Sequence, residues 1–209
     1  MSVIFLLSGA YVILIIFVAL PVMLMPVGYS ENDRYETGVL QQPYSGPAIV
    51  KTINGTNFEL TPRATFDVTA IVKGIKPYDD GRFSWIMPYD VVLTWGRLTD
   101  PDLINCINYR QFDRQYLFSY TDCPVQEYYV LTHSANAHIV PANDMIAEGM
   151  RSIDVGSRVT MAGYLVDIDW KSGNMRYWIN TSLVRNDTGI GGCEIIYVEK
   201  LIVDGRTFR

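Results

Sequence analysis

The sequence predicts a mainly β protein that begins with a single transmembrane helix. Residues 1–30 contain none of the chain's 22 acidic, 17 basic or 2 histidine side chains. From about residue 65 onward, apolar and polar residues alternate repeatedly, which is typical of strands with one buried face. Because about 44% of the residues after position 30 are apolar and 12% of the chain is aromatic, the part after the apolar segment can build a hydrophobic core and is not disordered.

The apolar segment at residues 3–25 contains nothing more polar than Ser8. As a helix it would be about 35 Å long, and the hydrocarbon layer of a membrane is about 30 Å thick. A cleaved secretory signal is the alternative, but such a signal begins with a positive segment and ends at a small-residue cleavage site. The first basic residue here is Arg34. We therefore expect residues 1–30 to form an uncleaved anchor that contacts membrane lipid through residues 3–25.

The flank that follows the anchor is poor in positive charge. Arg34 stands there among Glu31, Asp33 and Glu36, and segments that lack Lys and Arg are the ones that cross the membrane easily. This arrangement favours a cytoplasmic N-terminus with the rest of the chain outside. In a Gram-negative bacterium this would be a single-pass protein of the inner membrane with a periplasmic domain.

Residues 31–62 are rich in Gly, Pro, Asn, Thr and Gln and show no sustained periodicity. This composition predicts an extended arm or linker, in which the apolar island at residues 48–53 could add an edge strand. The globular domain is then expected to span residues 63–209.

Alternating or β-branched segments predict strands throughout this domain. The predicted strands are residues 66–72, 89–95, 116–120, 128–131, 157–167, 175–179 and 194–203. Two segments predict short helices instead. Residues 100–107 place Pro101 at a first helical position, and residues 143–152 begin with Asn143 as a plausible N-cap.

Many short strands with one or two short helices indicate a compact, mostly antiparallel, barrel-like domain. The run at residues 154–166 has the pattern of OB-type barrels, in which a glycine lets a strand bend around a closed sheet. The fold class we expect is therefore a transmembrane helix followed by an OB-like β domain.

Three cysteines form neither a CxxC motif nor a zinc-type spacing. Cys106 and Cys123 could close a loop of about 17 residues, which would contribute about 3 kcal/mol in an oxidising compartment. Cys193 would then be the odd cysteine. The alternative is that all three are unpaired thiols packed as small hydrophobes.

Three segments read together resemble one protein family. They are DVVLTWGRLTD at residues 90–100, HSANAHIVPAN at 133–143 and SLVRNDTGIGGCE at 182–194. With the GYLV turn at 163–166, they are similar to a family of uncharacterised bacterial proteins that carry an N-terminal membrane anchor. The resemblance covers about residues 65–200, leaves out the arm and the cysteine pair, and implies a bacterial origin and a common fold. It implies no catalytic residue.

The two histidines are candidate binding residues. His133 and His138 are five residues apart, which places them on opposite faces of a strand. A shared metal would need a loop geometry and carboxylates such as Asp144 or Glu194 brought in by folding. The alternative is that each imidazole bonds backbone groups in a turn beside Asn136. We assign no metal ligands to these residues.

The glycine-rich stretch at residues 185–192 is a second candidate. It lacks the strand, helix and Lys-Ser/Thr context of a phosphate-binding loop. Arg185 could bind an anion or a partner's carboxylate. It could equally form an internal ion pair with Asp187 or Glu194 that fixes the loop.

These observations favour a non-enzymatic, membrane-anchored accessory subunit that docks on a larger membrane complex, with no cofactor. Respiratory or light-harvesting complexes are natural hosts, and the abundant aromatic residues suit an interface. One alternative is an envelope hydrolase or metal-dependent enzyme that uses His133, His138 and nearby acids. Another is a ligand-binding or oligosaccharide-binding module that uses the barrel face. The acidic balance and the absence of basic runs argue against a nucleic-acid partner.

Overall fold

The computed structural model describes residues 38–79, 81–120, 122–187 and 192–209, and it leaves out the side chains of residues 81–82. The predicted anchor at residues 1–30 lies outside the described residues, as does the start of the predicted arm. Within the described part of the chain, no helix has the length and apolar character needed to cross a membrane.

The described chain is mainly β, as the sequence predicts. The strands are β1 (Gly38–Pro43), β2 (Ile49–Ile53), β3 (Thr56–Pro77), β4 (Tyr89–Thr94), β5 (Ile107–Phe112), β6 (Gln115–Tyr120), β7 (Ser134–Pro141), β8 (Arg158–Ser172), β9 (Met175–Ile179), β10 (Ile195–Val203) and β11 (Arg206–Phe208). The helices are α1 (Gly81–Ile86), α2 (Glu127–His133) and α3 (Asp144–Met150), with a 3-10 turn at Gly96–Thr99.

The 22-residue strand β3 organises the main sheet. Along one edge it pairs in turn with β2, β1 and β4, and along the other edge it pairs with β8. From β4 the pairing continues through β7 and β10 to β8. Strands β3, β4, β7, β10 and β8 therefore pair in a closed cycle. All of these pairings are antiparallel except that of β7 with β10.

The main hydrophobic core lies among these five strands. On β3, buried and exposed residues alternate over most of the strand, so Phe66, Val68 and Val72 all point inward. Helix α3 contributes Ile146 and Met150 to this core. The Asn143 side chain accepts a hydrogen bond from the Ile146 amide at 3.0 Å. This contact confirms the predicted N-cap.

Gly163 allows β8 and β10 to approach each other closely. It pairs with Val198, next to a bulge in β10 between Val198 and Lys200. A Cβ atom at position 163 would lie 1.9 Å from the Tyr197 carbonyl oxygen. Gly163 lies in the run at residues 154–166, for which the sequence pattern predicts a glycine that lets the strand bend, and in the structure a close backbone contact requires it.

Residues 38–62, which the sequence analysis placed in an extended arm, form β1, β2 and the first part of β3. The predicted boundary after Pro62 falls inside β3. Turn-forming residues such as Asn54 and Gly55, both with positive φ, interrupt the alternation and conceal it from a periodicity search. The apolar island expected at residues 48–53 is β2.

Two further predictions of secondary structure were wrong. Residues 128–131, predicted as a strand, lie in α2. A four-residue window is too short to distinguish a helix from a strand. Residues 100–107, predicted as a helix, form hydrogen-bonded turns that lead into β5, with the Ile104 amide bonded to the Asp100 carbonyl at 2.8 Å.

Candidate functional site

A cavity of about 360 Å³ lies beside two of the three segments singled out in the sequence, with His138 and Cys193 in its lining. It lies among α1, the turn between β5 and β6, the centre of β7, the end of β9 and the start of β10. Its lining residues are Phe83, Met87, Asp113, Arg114, Gln115, His138, Ile179, Asn180, Cys193 and Ile195. The volume falls within the range of small-molecule sites in proteins.

A buried carboxylate lies behind the wall of this cavity. Asp90 on β4 is 1% exposed, and its Oδ1 atom accepts hydrogen bonds from His138 Nδ1 at 2.7 Å and from Arg114 Nη1 at 3.1 Å. Because a carboxylate only accepts, His138 carries its proton on Nδ1. The Nε2 atom of His138 is therefore the ring nitrogen left for a ligand.

Arg114 occupies a strained position at the tip of the β5–β6 hairpin. Asp113 and Arg114 form the two-residue turn, with φ of 42° and 61°, where Asn-Gly is the usual choice. The Arg114 guanidinium also donates to the Met87 carbonyl at 2.9 Å and lies 3.9 Å from the centre of the Tyr78 ring. These contacts hold the hairpin tip against the cavity.

Asn136 fixes the backbone of the same turn. It is 1% exposed, and its Nδ2 atom donates to the Arg114 carbonyl at 3.2 Å. Its Oδ1 atom accepts from Gln111 at 2.8 Å. The thiol of Cys193 also lies against the Arg114 carbonyl, at 3.8 Å. Asn136, a predicted site residue, therefore positions the hairpin from behind the cavity.

The disulfide Cys106–Cys123 closes the base of this hairpin. It joins residues just before β5 and just after β6, with Cα atoms 5.5 Å apart. This is the pairing that the sequence spacing favours, and Cys193 is free. The bridge thus constrains the element that carries Arg114 and Gln115 to the cavity.

Changing Cys106 and Cys123 together to serine should lower the free energy of unfolding by about 3 kcal/mol, because the unfolded chain gains the freedom of a loop of about 17 residues. Chemical denaturation of wild type and variant measures the difference. Non-reducing peptide mass spectrometry should recover the two cysteines linked in the wild type. A linkage through Cys193 would contradict the arrangement described here.

Cys193 is a neutral group at physiological pH. Burial, and then the carboxylate of Glu194, raise the pKa of the Cys193 thiol to about 11. A thiol is a strong nucleophile only when it ionises. Cys193 therefore supplies the cavity with a weak hydrogen-bonding group.

Arg185 forms an internal ion pair, which was one of the two alternatives considered from the sequence. Its guanidinium donates to the Glu194 carboxylate and to the side-chain oxygen of Gln41 on β1. Asp187 accepts instead from the Ser182 hydroxyl. Residues 188–191 of the glycine-rich stretch lie outside the described residues. Arg185 thus ties the segment before β10 to β1.

Glu194 is 4% exposed. Its burial outweighs the attraction of Arg185 and raises the pKa of the carboxyl to about 7. The folded protein then binds a proton between about pH 4.5 and pH 7 that the unfolded chain does not hold. The contribution of Glu194 to stability is therefore present at low pH and is lost as the pH rises through 7.

Glu194→Gln should remove this pH dependence. Between pH 4.5 and pH 8, the free energy of unfolding of the variant should rise relative to that of the wild type by about 3 kcal/mol. Urea denaturation of both proteins at several pH values measures this difference in unfolding free energy. The contributions of the other titrating groups cancel, because both proteins contain them. Parallel pH profiles would contradict the assignment.

His133 lies away from the cavity. Its ring stacks on Tyr129 at 3.8 Å, and its Nδ1 atom lies 3.0 Å from the Tyr129 carbonyl oxygen. Five residues of extended chain place it about 16 Å from His138. The structure therefore does not bring the two histidines together, and no group of three or more metal-ligating side chains occurs among the described residues.

Sequence reasoning missed Asp90, Arg114, Gln115 and Asn180. A usable signal existed for Asp90, because a carboxylate in the apolar run YDVVLTW is buried on folding and then needs a partner. The Asp113-Arg114 turn gave no such signal, since its residues are not those typical of hairpin turns.

Comparisons with family models, with curated proteins and with solved structures find no match to this chain.

Proposed function

We propose that this protein is a membrane-anchored binding module whose cavity beside His138 takes a small polar ligand. Residues 3–25 hold the chain in the bacterial inner membrane, and the β domain faces the periplasm. The closed cycle of β3, β4, β7, β10 and β8 forms an OB-type barrel, with α3 at one end.

The position of the cavity supports this proposal. In OB-type barrels, ligands bind at the second and third strands and at the loops between strands one and two and between strands four and five. With β3, β4, β7, β8 and β10 numbered one to five, these loops are residues 78–88, which contain α1, and residues 173–194, which contain β9. Both line the cavity, and His138 belongs to the third strand.

The single observation that carries the proposal is the buried ion pair at the cavity wall. Asp90 holds His138 in one tautomer and holds Arg114 at the hairpin tip. Burying a carboxylate costs free energy that a well-packed apolar side chain would not. Such a cost is typical of sites at which side chains are preorganised for a ligand.

Ligand capture tests the proposal. The full chain in detergent is mixed with a small-molecule extract of its own cells, washed and denatured, and the released compounds are identified by mass spectrometry. Wild type should release a compound that His138→Gln and Gln115→Ala do not retain. Met175→Ala, which changes an exposed residue of β9, should behave as wild type. Equal release from all four proteins would refute the proposal.

The accessory-subunit function expected from the sequence is a second candidate, which β9 favours. In the described structure this strand pairs with β8 alone, and it presents Met175 and Trp178, exposed by 61% and 69%. An open, apolar edge strand is a natural docking surface for another protein. A respiratory or light-harvesting complex in the same membrane would be the host.

Trp178→Asp tests this second candidate. The variant should no longer co-purify with the host complex from mild-detergent membranes, whereas Lys171→Asp, on the neighbouring strand β8, should remain bound. Protease added to spheroplasts should digest the β domain in both cases, and its protection would contradict the proposed orientation.

A further inference from the structure

We propose that the ligand of this cavity is a neutral oligosaccharide, which binds across Phe83 and Trp85 with one sugar unit beside His138. The inference rests on the proposed function and adds the chemical class of the ligand. Three features of the described residues carry it: charge, hydrogen-bonding groups and exposed aromatic side chains.

The charges at the cavity compensate each other. Arg114 is paired with Asp90, bonded to the Met87 carbonyl and stacked on Tyr78. Asp113 is exposed at the rim. A phosphate or carboxylate ligand would find no unpaired cation among the described residues that line the cavity, because Arg114 is already bound to Asp90. The carboxylate of Asp113 at the rim would repel such a ligand. The site therefore suits an uncharged molecule.

The polar groups that remain are mixed donors and acceptors. Gln115 and Asn180 carry amides, and each amide offers both a carbonyl oxygen and an NH2 group. His138 adds Nε2. Hydroxyl groups both donate and accept, so a ligand with several hydroxyls can satisfy all of these side chains at once.

Two partly exposed aromatic side chains, Phe83 and Trp85, lie at or near the cavity, whereas Trp170 and Phe58 are buried. Phe83, which lines the cavity and is 43% exposed, contacts the edge of Trp170 with ring centres 5.8 Å apart. Trp170 in turn lines a second, small depression of about 40 Å³ with Phe58 and Trp85. Trp85 is 45% exposed at its rim.

Flat aromatic faces beside polar groups fit sugar rings, which present apolar C–H faces and equatorial hydroxyls. Two exposed aromatic side chains, Phe83 at the cavity and Trp85 beyond it, fit a chain of linked sugars better than a single small molecule. Stacked bases of single-stranded nucleic acid would also use aromatic rings, but they require a basic groove for the phosphates. The chain has a net charge of −5, and the rim carries Asp113.

Calorimetric titration of the full chain in detergent tests the inference, with maltotetraose, cellotetraose, chitotetraose and the oligonucleotide dT8 as probes. At least one tetrasaccharide should bind and dT8 should not. Trp85→Ala should weaken tetrasaccharide binding about tenfold, a typical loss for a central aromatic contact. Tyr128→Ala is the matched control, because Tyr128 is also an exposed aromatic residue, lies on α2 and lines neither depression. It should leave the affinity unchanged.

Two results would overturn the inference. One is that none of the tetrasaccharides binds, and the other is that Trp85→Ala and Tyr128→Ala have equal effects. If the tetrasaccharides fail while a compound is still captured in a His138-dependent way, the ligand class is wrong and the binding function stands. If both experiments fail, the binding function itself is refuted.

Discussion

Arg114→Ala should lower the free energy of unfolding by about 3 kcal/mol, the lower end of the cost of removing one partner from a buried ion pair, because His138 still donates to Asp90. The carboxylate of Asp90 would remain 1% exposed and would lose the guanidinium 3.1 Å away. For a chain of this length, the melting temperature should fall by about 10 °C. Thermal unfolding followed by circular dichroism measures the change.

A double variant separates the charge effect from the loss of packing. Asp90→Asn combined with Arg114→Ala leaves no buried charge, so it should be more stable than Arg114→Ala alone. Arg110→Ala removes an exposed arginine from the same hairpin and should change stability by less than about 0.5 kcal/mol. If the double variant is less stable than the single one, Asp90 is not held as an ion by Arg114.

Gly163→Ala should destabilise the protein by about 3 kcal/mol, at the upper end of overpacking effects. The new methyl group would lie 1.9 Å from the Tyr197 carbonyl oxygen and 3.2 Å from the Glu199 amide. Both contacts are with the backbone, so a side-chain rotation cannot relieve them. Strands β8 and β10 would have to separate next to the bulge in β10.

The neighbouring position provides the control for this prediction. Ala162→Ser adds one atom to a half-buried residue of the same strand and should cost less than about 1 kcal/mol. Denaturant unfolding of Gly163→Ala, Ala162→Ser and wild type compares the two substitutions. A Gly163→Ala protein as stable as Ala162→Ser would mean that the two strands do not approach as closely as described.

The sequence predicted the elements whose signal is local. β8 and β10 have long β-branched and apolar runs, and α3 has an N-cap at Asn143, so each could be located from its own residues. β1 and β2 could not, because their short runs are separated by turn residues and they become strands only by pairing with β3.

The candidate site was predicted in part. His138 and Asn136 were singled out, but their partners Asp90 and Gln111 lie 48 and 25 residues earlier in the chain. Such contacts depend on strand pairing, and the periodicity within one segment does not show which strands pair. The sequence left Asp187 and Glu194 as possible partners of Arg185. In the folded chain, Arg185 pairs with Glu194.

The rate at which Cys193 is alkylated tests the central claim, that the cavity beside His138 is a ligand site. Cys193 lines this cavity and is the thiol left by the disulfide, so a bound ligand must cover it. Because the pKa of Cys193 is about 11, only about 1% of the thiol is ionised near pH 9 and alkylation is slow. Excess iodoacetamide is therefore added to the full chain at this pH, with and without the small-molecule extract, and intact mass reports the modified fraction over time. We expect the extract to slow alkylation several-fold in wild type and to have little effect in Gln115→Ala. An alkylation rate in wild type that the extract leaves unchanged would contradict the claim.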